Sequence, residues 1–99
     1  MITSHTRIET ASGSRYLQQL CKHWSHKFET EVDATRGRVH FEVAAAHFAA
    51  DATGLTATII APDDTTLARL QPVVASHLQR FAFRETLAID WVADPGDWG

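Results

Sequence analysis

The sequence predicts an α+β fold, a two-layer sandwich in which two helices cover one face of an antiparallel sheet. Residues 15–28 and 62–81 place apolar side chains every three or four positions, which is typical of amphipathic helices. The other regular segments alternate apolar and polar residues, and short turns join consecutive ones, which favours antiparallel strands. The predicted order is β-α-β-β-β-β-α-β, because each helix has one apolar face to bury against the sheet.

The first half of this order begins with alternating residues 4–10, which predict a strand. The stretch "ASGS" at 11–14 then breaks the chain and offers a serine as a helix cap. The first helix follows over 15–28. The four middle strands are predicted at 29–34, 38–43, 46–51 and 55–61. Gly37 is expected to adopt a positive φ in the hairpin turn between the first two of them.

The second helix begins after a capping aspartate, Asp63 or Asp64, which suits the positive end of the helix dipole. Pro72 lies inside its apolar stripe and predicts a kink or a new helix start near residue 71. A last strand is predicted at 85–94. Residues 1–93 are therefore expected to form one domain, and residues 94–99 a flexible tail.

Composition narrows the classes of function. The formal net charge is −3 with neutral histidines, which argues against a nucleic-acid partner because such binding needs a cationic face. No run of 18 apolar residues occurs, so no membrane partner is expected. The first ten residues lack the apolar stretch of a signal peptide, and Cys21 is the single cysteine. A cytoplasmic location is the resulting expectation.

The first helix carries a basic rim. Residues 11–28 contain no acid, and helical spacing places Leu17, Leu20 and Cys21 inward. The polar side chains that border or oppose this apolar stripe are Arg15, Gln19, Lys22, His23 and His26. Such a rim favours a small anionic ligand, because no carboxylate on the helix neutralises its charge. A solvated helix face with no ligand is the alternative.

His77 falls within the apolar face of the second helix, with Arg80 and Arg84 following it. A buried histidine needs a hydrogen-bond partner, so one interpretation is a satisfied core residue. The other places His77 opposite His23 across the seam between the helices, so that both helices contribute to one small site.

Metal and enzyme alternatives remain open but have weaker support. Cys21, His23 and His26 form C-x-H-x-x-H, yet Cys21 lies about 160° round the helix from His23. The two histidines alone, or together with His77, are the remaining candidate metal ligands. The sequence contains no motif of a catalytic nucleophile, phosphate loop or zinc protease, so we expect a non-enzyme without a cofactor.

Two stretches, "SRYLQQLCKHWSHKF" at 14–28 and "VVASHLQRFAFRETLAIDW" at 73–91, resemble the signature segments of a bacterial family of unknown function, number 2218. The resemblance implies a small accessory protein in iron or siderophore handling, with a flavin-dependent siderophore reductase as a partner. The family's signature polar residues fall on Arg15, Tyr16, Gln19, Lys22, His23, His26, His77, Arg80 and Arg84.

Three hypotheses of function follow. The first is a binding module for a small anion at the rim of the first helix. The second is a protein-interaction module that uses the open face of the sheet, predicted to carry His40, Glu42, Thr56, Thr58 and Ile60. The third is a histidine-based metal or enzyme site. The sequence leaves open whether the protein is a monomer or a homodimer.

Overall fold

A six-stranded antiparallel sheet carries both helices on one face in the computed structural model, which describes residues 1–93. The fold class and the element order are confirmed. The elements are β1 (Ile2–Glu9), α1 (Gly13–Trp24), β2 (Glu29–Val32), β3 (Arg36–His40), β4 (Ala45–Ala50), β5 (Gly54–Ala61), α2 (Asp64–Phe81) and β6 (Val92–Ala93). The predicted tail, 94–99, lies outside the described residues.

The strand order across the sheet is β2-β3-β4-β5-β1-β6, and every neighbouring pair is antiparallel. Helix α1 packs over β2, β3 and β4, whereas α2 packs over β5 and β1 and against α1. The core therefore lies between the helix layer and one sheet face, and the opposite face has no helix over it. In the described part of the chain, neither helix is long and apolar enough to cross a bilayer.

The inward face of β1 is unusual because it buries polar side chains. Ser4 and Thr6 are buried on the helix side. Gln71 of α2 donates to the Ser4 hydroxyl at 3.0 Å, and the Asp90 backbone N–H donates to the Thr6 hydroxyl at 3.1 Å. These bonds offset the cost of removing the hydroxyls from water. They also hold α2 and the segment after it on β1.

The tripeptide Asp-Ala-Thr forms two turns, one between β2 and β3 and one between β4 and β5. Asp33 accepts backbone N–H groups from the residues two and three positions later at 2.9 and 2.8 Å. Asp51 does the same in its turn, at 2.9 Å for both bonds. Both aspartates therefore satisfy the turn backbone and fix the register of the flanking strands.

The predicted role of Gly37 as a turn residue is wrong. Gly37 lies inside β3, and no glycine in the described residues has a positive φ. A Cβ at this position would lie 2.6 Å from the Cys21 sulfur of α1. The glycine therefore lets the first helix approach the sheet closely, which is a packing requirement rather than a conformational one.

Both helices differ from their predicted bounds. Helix α1 ends at Trp24 rather than at residue 28, and beyond it the chain tightens into a turn in which the Lys27 backbone N–H donates to the Trp24 carbonyl three residues back. Helix α2 is continuous through Pro72, so no new helix starts near residue 71. Asp63 is the cap, and its carboxylate accepts the Thr66 backbone N–H at 2.8 Å.

The predicted last strand, 85–94, is mostly wrong. Only Val92–Ala93 pairs with β1, and Asp94 lies outside the described residues. The preceding segment turns inward instead, where Leu87 is buried and its carbonyl accepts a bond from Gln79 of α2 at 2.8 Å. Glu85 accepts hydrogen bonds from the hydroxyls of Tyr16 and Thr10. Side-chain bonds to the helix layer therefore replace strand pairing here.

Arg7 and Asp51 form a two-bond ion pair between β1 and the second Asp-Ala-Thr turn, with N–O distances of 2.9 and 3.0 Å. The Arg7 guanidinium, together with the Thr53 backbone N–H, holds the pKa of Asp51 well below its usual range. Because the folded-state pKa is depressed, the carboxylate stabilises the fold above the pKa of the unfolded chain, about 3.9. This stabilisation is lost as the pH falls through the folded-state value.

We expect Asp51→Asn to lower the melting temperature at neutral pH and to lose this effect in acid. The difference from the wild type should shrink as the pH falls below about 4, because the unfolded chain then binds a proton at Asp51 that the folded chain does not, and it should vanish only below the depressed folded-state pKa. Circular dichroism melts across this range measure it. Glu42→Gln, an exposed change in the turn after β3, is the control. A difference that stays constant with pH would contradict the assignment.

Candidate ligand-binding site

The outer face of α1 presents Arg15, Gln18, Gln19 and Lys22 to solvent. Two adjoining depressions follow it. The first, of about 440 Å³, is lined by Arg15, Gln18 and Gln19 together with the residues at the start of the helix. The second, of about 420 Å³, is lined by Gln18, Gln19 and Lys22 and reaches Thr30 of β2. The structure thus brings three of the predicted site residues, Arg15, Gln19 and Lys22, onto one continuous surface.

The electrostatics of this surface, which we call the α1 rim, favour negative charge. No carboxylate lines either depression, and the first turn of α1 contains no acid. The side chain of Ser12, the N-cap residue, makes no capping hydrogen bond. The positive end of the helix dipole therefore has no side-chain cap from the N-cap residue.

His23 and His77 meet across the seam between the helices. Their ring centroids lie 5.2 Å apart, with the planes tilted by 48°. Trp24 packs on the same cluster at 5.0 Å from His77, and Phe81 lies 6.1 Å from His23. Exposure differs between the two histidines, since His23 is exposed and His77 half-buried. Two residues remote in sequence therefore share one aromatic cluster that solvent reaches from the His23 side.

His77 lies in the apolar face of α2 and has the hydrogen-bond partner that a histidine removed from water needs. Its Nδ1 lies 2.7 Å from the Val73 carbonyl oxygen, one helical turn back. A carbonyl only accepts, so Nδ1 carries the proton and Nε2 is left with a lone pair in the neutral ring. His77 is thus hydrogen-bonded through Nδ1, and its Nε2 is available to accept a hydrogen bond or to bind a ligand.

The other predicted site residues do not join this cluster. His26 lies in the turn beyond Trp24 and is exposed. Arg80 is exposed, and the Arg84 guanidinium lies 5.4 Å from the centroid of the Phe83 ring. Among residues 1–93 no hydrogen bond or ion pair connects these three side chains to the histidine pair.

Cys21 is fully buried, as helical spacing predicts, and burial raises the pKa of its thiol to about 11. The thiol is therefore protonated at neutral pH and is no nucleophile. Within the described residues, no group of three or more His, Cys, Asp or Glu side chains is arranged to hold a metal ion. A site of the C-x-H-x-x-H type is excluded by the inward direction of Cys21.

The uncovered sheet face carries a third depression, of about 430 Å³, which residue periodicity did not predict. It contains Arg36, Arg38 and His47, and Glu31 lies 3.4 Å from Arg38. Burial, followed by the Arg38 charge, lowers the pKa of His47. Of the residues expected on this face, Thr56 and Thr58 also line the depression.

The end of β3 explains why the expectation for Glu42 on this face fails. The strand was expected to continue to residue 43 but ends at His40, so Glu42 lies in the following turn and Val43 is exposed. Glu31, Arg38, His47 and Thr58 are cross-strand neighbours in β2, β3, β4 and β5. The alternation of polar and apolar residues within each strand indicates that these side chains point to the same sheet face. Which of them become neighbours depends on the register between the strands, and this alternation does not contain it.

Comparison with known proteins identifies a bacterial family and a similar solved structure. The model of a bacterial family described as "Uncharacterized protein conserved in bacteria" (DUF2218) matches residues 5–92. The chain is also similar to PA4090 from Pseudomonas aeruginosa, a structure solved by NMR, with a TM-score of 0.80 and 40% sequence identity. That similarity covers 93% of this chain and 96% of the other. No curated protein matches the sequence.

Proposed function

The chain belongs to the bacterial family DUF2218, and from that premise we propose that it is a non-catalytic binding module for a small anion held on the α1 rim. The observation that carries the proposal is the lining of the two adjoining depressions. They combine a guanidinium, an ammonium group, two amides and several hydroxyls, and they contain no carboxylate. The proposal includes a cytoplasmic location, which rests on the single cysteine.

Recognition would proceed through charge-assisted hydrogen bonds. Arg15 offers a planar fork that suits a carboxylate or phosphate, and Lys22 offers a compact charge about two helical turns away. Gln18 and Gln19 border both depressions, so their amides lie between the two charges. This spacing suits a ligand with two anionic groups rather than a single small ion. A siderophore complex, the ligand implied by the sequence resemblance, belongs to this class.

The second candidate function is homodimerisation through the uncovered sheet face. The mixed charge of that face favours it, because Glu31 and Arg38 lie 3.4 Å apart beside the exposed Arg36. Such a surface is complementary to itself if a two-fold axis places each cation opposite the partner's carboxylate. The β2 edge also exposes Val32, which a partner would cover.

Amide chemical-shift titration tests both candidates in one experiment. The probes are phosphate, citrate and a gallium-loaded trihydroxamate siderophore, a diamagnetic equivalent of the ferric complex. We expect citrate or the siderophore at millimolar concentration to shift the amides of residues 13–22. Arg15→Gln and Lys22→Gln should each weaken binding about tenfold, which corresponds to the loss of one charged hydrogen bond.

Arg69→Gln, an exposed change on α2, is the matched control and should leave the affinity unchanged. If all three probes leave residues 13–22 unshifted, the anion proposal fails. Shifts confined to residues 36–38 and 47–49 that depend on protein concentration, without any ligand, would instead support the dimer. Light scattering on the same samples gives the mass of the species.

A further inference from the structure

We propose that His23 and His77 form a two-histidine site for a divalent transition metal ion of the Cu²⁺, Ni²⁺ and Zn²⁺ class. One imidazole nitrogen of each ring would bind the ion, and water or a small anion would complete its coordination. The proposal is independent of anion binding at the α1 rim and revises the expectation that the protein binds no cofactor.

The separation of the two rings is the first support. With metal–nitrogen bonds of about 2.1 Å, a tetrahedral ion bound by one nitrogen of each ring places the two ring centroids about 5 Å apart. The observed separation is 5.2 Å. The rings come from different helices that pack against each other, so the spacing is set by the fold and not by one flexible loop.

The hydrogen bond of His77 is the second support and is independent of the first. A histidine that ligates a metal typically donates its other ring N–H to a carbonyl or carboxylate, which fixes the tautomer and turns the free nitrogen toward the ion. His77 has this arrangement, because its Nδ1 lies 2.7 Å from the Val73 carbonyl oxygen. Its Nε2 is consequently the ligating atom.

The type and number of the donor atoms determine which metal ions bind and how tightly. Imidazole nitrogen suits Cu, Ni and Zn, whereas Mg²⁺ and Ca²⁺ require oxygen ligands. Because the protein supplies only two donors, we expect micromolar affinity and the order Cu²⁺ above Ni²⁺ and Zn²⁺, with no response to Mg²⁺. His23 is exposed, so the ion enters from solvent, and the Trp24 and Phe81 rings shield the inner side.

Paramagnetic broadening by Cu²⁺ in amide spectra of the tag-free protein locates the site. We expect broadening centred on residues 22–24 and 73–81, and partial quenching of the tryptophan fluorescence at the same Cu²⁺ concentration. Calorimetry with Zn²⁺ gives the affinity. His23→Gln and His77→Gln should each lower it at least tenfold.

Two matched variants distinguish this pair from two of the protein's four other histidines. His26→Gln removes an exposed histidine three residues from His23, and His47→Gln removes one from the opposite side of the sheet. Both should keep the affinity of the wild type. His77 is half-buried, so a fold check by circular dichroism accompanies its variant, but the exposed His23 tests the proposal alone. Unchanged affinity in His23→Gln, or broadening centred on residues 38–47, would overturn it.

Discussion

Replacing Leu78 with alanine is expected to lower the free energy of unfolding by about 2–5 kcal/mol, the range found for large-to-small changes in cores. Leu78 is fully buried on the inward side of α2 and belongs to the cluster that joins the helix layer to the sheet. Shortening it removes apolar contacts and leaves a cavity that neighbouring rigid strands cannot close. Urea denaturation followed by tryptophan fluorescence measures the loss.

Leu67→Ala on the same helix is the matched control. Leu67 is only partly buried near the start of α2, so the same chemical change should cost clearly less. Similar losses for the two variants would mean that the packing of α2 against the sheet is not the main source of stability in this region.

Gly37→Ala is expected to lower the free energy of unfolding by about 1–3 kcal/mol through overpacking. The added Cβ would lie 2.6 Å from the sulfur of Cys21, which is fully buried and therefore cannot turn toward solvent. Either the helix moves away from β3, or the thiol leaves its hydrogen bond with the Arg38 backbone. Thermal or urea unfolding measures the cost.

A double-mutant cycle with Cys21→Ala tests whether the contact with the Cys21 sulfur causes the destabilisation by Gly37→Ala. The next atoms around the added Cβ are a Leu17 methyl at 3.5 Å and a Val32 methyl at 3.7 Å, both at ordinary contact distance. Gly37→Ala should therefore cost little in the Cys21→Ala background, giving a coupling energy of about 0.5–3 kcal/mol. If the cost is the same in both backgrounds, the sulfur contact is not the reason for glycine at this position.

Periodicity predicted most of the fold because the buried faces are continuous. Leu55, Ala57 and Ile59 of β5 are buried as their alternation indicates, and Val74 and Leu78 define the inward side of α2. The prediction failed where another interaction outweighed the pattern. Residues 85–91 have the composition of a strand, but hydrogen bonds from other parts of the chain to Glu85 and Leu87 hold this segment against the helix layer instead, with Leu87 buried.

Gly37 shows a second kind of failure. Glycine next to an Asp-Ala-Thr turn has the sequence signature of a turn residue, yet the turn is made by the Asp33 carboxylate. The need for glycine arises from a sulfur atom of α1, distant in sequence. No local pattern carries that information, because it depends on how closely two elements pack.

The candidate site also contains residues that the sequence predicted and residues that it did not. Unrolling α1 was enough to select Arg15, Gln19 and Lys22, since one helix fixes their relative positions. The meeting of His23 and His77 followed from placing two amphipathic helices on one sheet face. The depression around Arg38 and His47 depends on the register of separate strands, which residue spacing within one strand does not contain.

The position of β1 within the sheet has a consequence for how the chain acquires its structure during synthesis. Both neighbours of β1, the strands β5 and β6, come from later parts of the chain. The first strand therefore leaves the ribosome without a pairing partner and remains so until residues 54–61 have emerged. Among the described strands, the hairpins within residues 29–61 are the pairs that form between segments adjacent in sequence. Closure of the sheet around β1 is a late, non-local step that should set the folding rate.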